Sequence, residues 1–332
     1  MHDSLDQAKA IVLNWQKSID SANISALPAI LSSYVSDSYL WRGMHPFHEQ
    51  HGADSVCSAF YVPLKTAFSA LRRRQDIFFA GRNEIDGFNS VWVASMGHFV
   101  GLFDQPFAGI APNQKLIMLR YAEFHKIEHN KITETALFID LLHLMAQTGL
   151  WPIAEQTGIH LVQPGPATHD GLLFDSQDAA TGAATLALIN RMIGDINQGQ
   201  YATPQEELGQ CWHDDMIWWG PTGIGASYTI ERYIQQHQRP FRTQNEGRRF
   251  NGHICRMAEG NYGGFFGWPN LSLKPTGGYL GMPPFDGYAD MRVVDMYRRD
   301  GDKLAENWIF IDLLHFLNMQ GNDILGQISS TG

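Results

Sequence analysis

The chain carries one seven-residue pattern twice, as LFIDLLH at 137–143 and as IFIDLLH at 309–315. A shift of 172 positions, which moves Ile139 onto Ile311, superimposes the two. The same shift pairs further identical residues without a gap: Gly109 with Gly281, Pro112 with Pro284, Arg120 with Arg292, Lys131 with Lys303, Glu134 with Glu306 and Gly149 with Gly321. Periods of about 20 to 50 residues are typical of solenoids, whereas a repeat this long indicates a duplicated domain.

The repeat predicts two domains of one fold. The first is expected at 1–150 and the second at 178–332. Between them, 151–177 is rich in Pro and Gly and lacks a helical period, which is typical of an ordered linker. Each copy opens with helix-like segments and continues with strand-like runs that end in the FIDLLH pattern. Helices followed by an antiparallel meander predict an α+β fold for each domain.

Composition narrows the class of protein. The 24 basic and 34 acidic residues give a net charge of −10, so the chain lacks the basic surface expected of a nucleic-acid or membrane-surface binder. Three cysteines without a CxxC spacing argue against a disulfide framework and a structural zinc site. The N-terminal segment is acidic where a signal peptide is basic, and no apolar run approaches the roughly 18 residues of a membrane span. These features predict a cytoplasmic protein with no nucleic-acid or membrane partner.

The segment MPPFDGYADMRVVDMYRRDGDKLAENWIFIDLLHFLNMQG, at 282–321, resembles the C-terminal half of a SnoaL-like polyketide cyclase domain of the NTF2-like superfamily. The matching positions are Pro283 and Pro284, Arg292, Arg299 to Lys303, Glu306, Trp308, Asp312, Gln320 and Gly321. The first copy fits more loosely, with Ala136 in place of the Trp and Thr148 in place of the Gln. The resemblance implies two NTF2-like (cystatin-like) α+β barrels, each with three helices and a curved antiparallel sheet around an apolar pocket.

The resemblance also implies a catalytic residue. The matching Asp of SnoaL-like cyclases is the acid/base of an intramolecular aldol closure, which makes Asp312 the catalytic candidate and Asp140 its counterpart in the first copy. The family needs no cofactor and no metal, so none is predicted. Because copy two retains the motif better, the resemblance predicts that its pocket is the working one.

Strand alternation places Trp308, Phe310 and Asp312 on one face, with Trp308 and Phe310 expected to line the pocket. An Asp beside aromatic side chains has a pKa raised by desolvation, as an acid or base near neutral pH requires. The alternative is that Asp140 and Asp312 act only as N-caps, because each precedes a short helix-like run that ends in Gly. Both interpretations remain open at this stage.

Further candidates surround this aspartate. His143 and His315, three residues after each Asp, are able to orient it or relay a proton, although a core role is favoured for both. Arg292 is a candidate for binding a carboxylate or enolate; alternatively, Arg120 and Arg292 pair with Glu123 or Asp295 on the outer face of a sheet. Other candidate substrate-binding residues are Trp268, His98 and Trp218, of which Trp218 is equally well explained as core.

The HPFHEQH segment spaces His45, His48 and His51 at three-residue intervals. Such a density of imidazoles is able to bind zinc, but copy two lacks it, so a solvated loop is favoured. No P-loop, GxGxxG, GxSxG or HExxH pattern is present in the sequence.

The sequence therefore predicts a small-molecule lyase, isomerase or cyclase that moves a proton next to a carbonyl of an apolar or amphipathic substrate. The competing hypothesis is a non-catalytic binding or interaction protein of the same fold. Because single NTF2-like domains commonly dimerise through the sheet, an intramolecular pseudo-dimer is expected, with further homo-oligomers as an open alternative.

Overall fold

The computed structural model describes residues 4–153 and 157–329. The chain divides into two compact units. Unit 1 comprises Met1–Pro152, His169–Ser176 and Gly321–Gly332, and unit 2 comprises Ile153–Thr168 and Gln177–Gln320. We retain the limits 1–150 and 178–332, with the linker between them, as a proposal for the duplicated domains.

Unit 1 begins with helices and continues with a six-stranded sheet. Its helices are α1 (Leu5–Ser21), α2 (Leu27–Tyr34), α3 (Ala53–Val56), α4 (Val62–Ala67) and α5 (Leu141–Gln147). Its strands are β1 (Val35–Gly43), β2 (Glu49–His51), β3 (Phe68–Arg82), β4 (Val91–Phe103), β5 (Leu116–Glu128) and β6 (Lys131–Ile139). The strand order is β2-β1-β6-β5-β4-β3.

Unit 2 repeats this arrangement with a seven-stranded sheet. Its helices are α6 (Ala179–Gln198), α7 (Pro204–Gly209), α8 (Thr229–Tyr233), α9 (Arg239–Thr243) and α10 (Leu313–Asn318). Its strands are β7 (Trp212–Trp219), β8 (Ser227–Tyr228), β9 (Asn245–Phe250), β10 (Cys255–Glu259), β11 (Tyr262–Pro275), β12 (Ala289–Asp300) and β13 (Lys303–Ile311). The strand order is β10-β11-β12-β13-β7-β8, with β9 beside β11. A last helix, α11 (Ile324–Ser329), groups with unit 1.

Both units confirm the predicted α+β class, with one difference in strand direction. The meanders β3 to β6 and β10 to β13 are antiparallel, as predicted. The first strand of each unit instead pairs in parallel with the last, β1 with β6 and β7 with β13. Helices separate these strands along the chain, which supplies the long connection that a parallel pair needs.

Local sequence explains how the helices begin and widen. Thr203 caps α7, because its side chain accepts from Glu206 N and Pro204 takes the first helical position. In each unit a π-helical turn interrupts the helical segment after β2 or β8, at Cys57–Tyr61 and at Ile234–Gln238. A proline follows both turns at the same offset, as Pro63 and Pro240. Proline cannot donate to the preceding turn, and its ring clashes with the carbonyl four residues back, so a wider turn accommodates it.

The strands of unit 2 have two buried faces. Along β12, Met291, Val293, Asp295 and Tyr297 share one face and alternate with Arg292, Val294 and Met296. The face of β12 that carries Asp295, together with the helices of unit 2, encloses the site described below.

Within the described residues, no helix is long and apolar enough to cross a membrane.

Candidate functional site

A cavity of about 190 Å³ lies inside unit 2, between α6, the π-helical turn and the sheet. Its walls are mainly aromatic and aliphatic. The aromatic residues of the lining are Trp212, Trp218, Tyr233, His237, Phe241, Phe250, His253, Phe265 and Tyr297. A largely apolar pocket with a few convergent polar groups is the usual form of a small-molecule site.

Asp295 is the acidic residue that lines this cavity. Its carboxyl is buried, and Asn307 Nδ2 donates to its Oδ1 at 3.0 Å. Tyr297, two residues along the same strand, also hydrogen-bonds to it. Burial raises the pKa of Asp295 to about 7, because desolvation outweighs the two hydrogen bonds that favour the carboxylate. The group is therefore able to accept and release a proton near neutral pH.

Asn270 also lines this cavity and carries a buried hydrogen-bond donor. It sits at the bulge of β11, where its Oδ1 accepts from Val293 N at 2.7 Å. That contact fixes the orientation of the amide, because only the oxygen is able to accept. Its Nδ2 is buried and has no hydrogen-bond partner among residues 4–153 and 157–329. An unsatisfied buried donor costs about 1 to 3 kcal/mol, which a ligand acceptor would recover.

Two histidines form part of the aromatic wall. His237 belongs to the π-helical turn and stacks on Trp218, with ring centres 4.1 Å apart. His253 stacks on Phe265 at 3.9 Å, and its Nδ1 accepts from Arg256 Nε at 3.2 Å. Because arginine only donates, the proton of neutral His253 is on Nε2. Burial lowers the pKa of each histidine to about 3, so both rings are neutral at pH 7.

The structure places most of the sequence candidates outside this cavity. Trp218 lines it, as expected. The predicted alternation of β13 is also observed, but the cavity takes Asn307, Ile309 and Ile311 from that strand. Trp308, Phe310 and Asp312 face the opposite way, so the expectation that they line the pocket is wrong. Trp308 is buried there, and its Nε1 donates to Pro164 O at 3.0 Å.

Asp312 and Asp140 act as N-caps. Asp312 Oδ1 accepts from His315 N at 3.2 Å at the start of α10, and Asp140 Oδ1 accepts from His143 N at 2.9 Å at the start of α5. In both copies the backbone N–H of the histidine donates to the capping aspartate. The His143 ring is buried, with Nδ1 3.3 Å from Gln147 Nε2. Asp312 and His315 are not part of the cavity wall.

The remaining candidates form other contacts. Arg292 Nη1 lies 3.5 Å from Asp312 Oδ2, and its guanidinium stacks over Trp268 at 4.0 Å. A pairing of Arg292 with Asp295 is thereby excluded, because the two alternate across β12. In unit 1, burial lowers the pKa of Arg120 to about 9. His98 Nδ1 lies 3.3 Å from Asp76 Oδ2, and burial lowers the pKa of His98.

The sequence predicts Asp295 only as an arginine partner, whereas the structure places it in the cavity wall. The signal was present in its own strand, where Asp295 shares a face with Met291, Val293 and Tyr297. An acid on an otherwise apolar face of a strand is buried, and a buried acid has a raised pKa.

In unit 1, the position equivalent to Asp295 is occupied by an acid that is paired with an arginine. The 172-residue shift matches Asp295 to Glu123 and Asn307 to Thr135. Glu123 is fully buried and accepts from Arg73 Nη1 at 2.6 Å and from Gln16 Nε2 at 3.1 Å. Although burial alone would raise the pKa of Glu123, Arg73 and these hydrogen bonds lower it below its ordinary value. The counterpart of His237 is Phe60, which holds the same place in its π-helical turn and packs on Trp41 at 5.4 Å.

The histidines of the HPFHEQH segment do not assemble a metal centre in the part of the chain that is described. His45 and His48 are in edge contact, with ring centres 5.4 Å apart. In residues 4–153 and 157–329, no three His, Cys, Asp or Glu side chains are grouped closely enough to hold an ion. The three cysteines are buried, and none forms a disulfide with another described residue.

Comparison with known proteins gives matches to solved structures only. No family model matches the sequence, and no curated protein matches it. A candidate SnoaL-like polyketide cyclase from Jannaschia sp. is 18% identical, with a TM-score of 0.34, over 44% of this chain and 95% of the other. An NTF2-like protein from Burkholderia xenovorans is 10% identical, with a TM-score of 0.34, over 42% and 97%. One from Burkholderia thailandensis is 17% identical, with a TM-score of 0.33, over 45% and 100%. The chain is thus similar to SnoaL-like and NTF2-like proteins over somewhat less than half its length at a time.

Proposed function

We propose that unit 2 is an acid/base catalyst of the lyase, isomerase or cyclase type, in which Asp295 moves a proton next to a carbonyl of an apolar or amphipathic substrate. The observation that carries this proposal is the buried carboxyl in an aromatic cavity, with a pKa of about 7. A general base is most effective when its pKa lies near the working pH. The proposal replaces Asp312 of the sequence hypothesis with Asp295 and keeps the reaction class.

The chemistry starts from the carboxylate form of Asp295. The carboxylate takes a proton from the carbon next to the substrate carbonyl, and the electrons of that C–H bond move into an enolate. In an isomerisation, protonated Asp295 returns the proton to another carbon of the enolate. In an aldol closure, the enolate carbon forms a bond to a second carbonyl carbon, and Asp295 gives its proton to the resulting alkoxide. Either sequence regenerates the carboxylate.

Asn270 supports the same step. Its Nδ2 is a buried donor on the cavity wall without a partner among the described residues. A donor held in place by its own Oδ1 contact is suited to stabilising the negative charge that develops on the substrate oxygen. We assign Asn270 this role, with the neutral rings of His237 and His253 forming the apolar wall.

Proton exchange on 2-acetonaphthone tests the proposal without knowledge of the natural substrate. This bicyclic methyl ketone carries exchangeable protons next to its carbonyl, and NMR in deuterated buffer measures their loss. We expect exchange faster than in buffer alone, with an inflection near pH 7. Asp295→Asn should abolish the acceleration. Asn270→Asp, which keeps the acceptor for Val293 N and removes the donor, should reduce it about 100-fold.

Asp312→Asn is the matched control, because it changes the same functional group in the same unit outside the cavity. Its exchange rate should stay within twofold of the unmodified protein. Exchange that is lost in Asp312→Asn and retained in Asp295→Asn would contradict the assignment. Binding of 2-acetonaphthone without any accelerated exchange would favour the non-catalytic binding protein instead.

A further inference from the structure

A second cavity, of about 320 Å³, adjoins the first in unit 2. Five residues line both: Ile196, Asn197, Phe241, Arg242 and Arg248. Two of these carry a guanidinium group, at the boundary between the aromatic cavity and the more polar one. A ligand whose apolar part occupies the first cavity would therefore present its other end to arginine.

Within the described part of the chain, one of the two arginines has a carboxylate partner and the other does not. Arg242 Nη2 donates to Glu207 Oε1 at 2.7 Å, which balances its charge. Arg248 Nη2 donates to the backbone oxygen of Ile196 at 3.2 Å, a neutral acceptor. Among residues 4–153 and 157–329, the salt bridges include none to Arg248. Arg248 is partly exposed to solvent, and desolvation of its inner part and the nearby Arg242 lower its pKa against the opposite effect of Glu207, so its surroundings would gain from an anion.

Strand alternation separates Arg248 from its neighbour in sequence. Arg249 follows it on β9 and does not line either cavity. The Arg249 guanidinium stacks over the ring of Tyr288 at 3.7 Å. Arg248 and Arg249 are thus adjacent arginines on one strand, and Arg248 lines the cavities whereas Arg249 does not.

We infer that Arg248 anchors a carboxylate carried by the ligand whose apolar part fills the aromatic cavity. The planar guanidinium is able to bind both carboxylate oxygens, which makes Arg a selective partner for this group. The inference rests on the proposed function in two respects, the 190 Å³ cavity as the ligand site and the carbonyl group of the ligand. The ligand class becomes an aromatic or polycyclic acid that also bears a carbonyl group.

Two bicyclic probes of similar size test the inference by calorimetric titration at pH 7. 2-Naphthoate carries the carboxylate, and 2-acetonaphthone is its neutral counterpart. We expect the unmodified protein to bind 2-naphthoate more tightly. Arg248→Gln should weaken 2-naphthoate at least tenfold and leave 2-acetonaphthone within twofold, while Arg249→Gln should change neither.

Several results would overturn the inference. For the unmodified protein, these results are equal affinities for the two probes or no binding of either probe. For the variants, they are a loss in Arg248→Gln that Arg249→Gln reproduces, or a loss in Arg248→Gln that is equal for both probes. The proposed function is read separately, in the exchange experiment. Exchange that depends on Asp295 with no effect of Arg248→Gln on binding would retain the catalyst and remove the anchor. Selective loss of 2-naphthoate in Arg248→Gln without any exchange would retain the anchor and remove the catalyst.

Discussion

Asp295 and Glu123 hold the same position in the two copies, 172 residues apart, yet only Glu123 is bound to an arginine, with Arg73 Nη1 at 2.6 Å. The pKa of Asp295 is raised to about 7 by burial, whereas Arg73 holds the pKa of Glu123 below its ordinary value. Glu123 is part of the core of unit 1, whereas Asp295 faces a cavity of unit 2. The two units should therefore respond to pH in opposite ways.

Asp295→Asn should stabilise the protein at neutral and alkaline pH. The folded pKa lies above the unfolded one, so the folded state binds the proton more tightly, and stability falls as pH rises from about 4 to about 7. Removing the group should raise the free energy of unfolding by on the order of 3 kcal/mol at pH 8 and change it little at pH 4. Urea unfolding at both pH values measures this. An equal effect at both would contradict the raised pKa.

Glu123→Gln should destabilise the protein by about 3 kcal/mol, because it removes the fully buried carboxylate that pairs with Arg73 and leaves Arg73 paired with the partly exposed Asp20. The folded pKa of Glu123 is depressed, so the stabilisation is present above about pH 4.5 and is lost as pH falls through the folded pKa. The loss is read from unfolding midpoints between pH 3 and pH 7. Glu128→Gln, which removes the partly exposed Lys126 pair, is the control and should cost less than about 1 kcal/mol.

Asp312→Ala should cost more than about 1 kcal/mol of stability, since it removes both the oxygen that caps α10 and the buried carboxylate that pairs with Arg292. Asp312→Asn keeps an acceptor and should cost less. The same pair of substitutions at Asp140 should rank in the same order. Thermal unfolding gives the ranking, and exchange of 2-acetonaphthone should be unchanged in every variant that remains folded. Asn variants as unstable as the Ala variants would show that capping is not the main role.

His237→Phe should make the protein more resistant to acid. The folded pKa of His237 lies near 3, below the unfolded value of about 6.5, so its neutral form stabilises the fold above pH 6.5 and this stabilisation falls between pH 6.5 and pH 3. Phenylalanine holds the equivalent place in unit 1, as Phe60, and preserves a ring against Trp218. The change in the free energy of unfolding caused by the substitution should be on the order of 2 kcal/mol more favourable at pH 4 than at pH 7. His48→Phe, in the HPFHEQH segment, is the control and should not show this gain.

The fold was accessible from the sequence because the repeat and the order of its elements are encoded locally. The alternation of β13 and the capping of α7 by Thr203 followed from the same local rules. The parallel pairing of the first and last strands was not predicted, because strand order depends on contacts between distant segments.

The site was harder to predict, because both faces of the central strands are buried. On β13, Trp308 and Phe310 on one face are as apolar as Ile309 and Ile311 on the other. Alternation groups these residues correctly and does not reveal which group faces the cavity. Asp312 also met every local criterion for an N-cap. Asp312 resembles a catalytic position within one continuous motif. The surroundings of Asp295 come from strands and helices far apart in sequence, so no local pattern reveals them.

The order of segments along the chain has a consequence for synthesis. Unit 1 starts first but also includes His169–Ser176 and Gly321–Gly332, and the second of these follows all of unit 2. A ribosome adds about 5 to 20 residues per second, so unit 1 waits on the order of 10 seconds or more for its last segment after residue 152 has been added. The unit whose synthesis starts first is therefore the last to become complete, which sets this chain apart from two domains that fold one after the other.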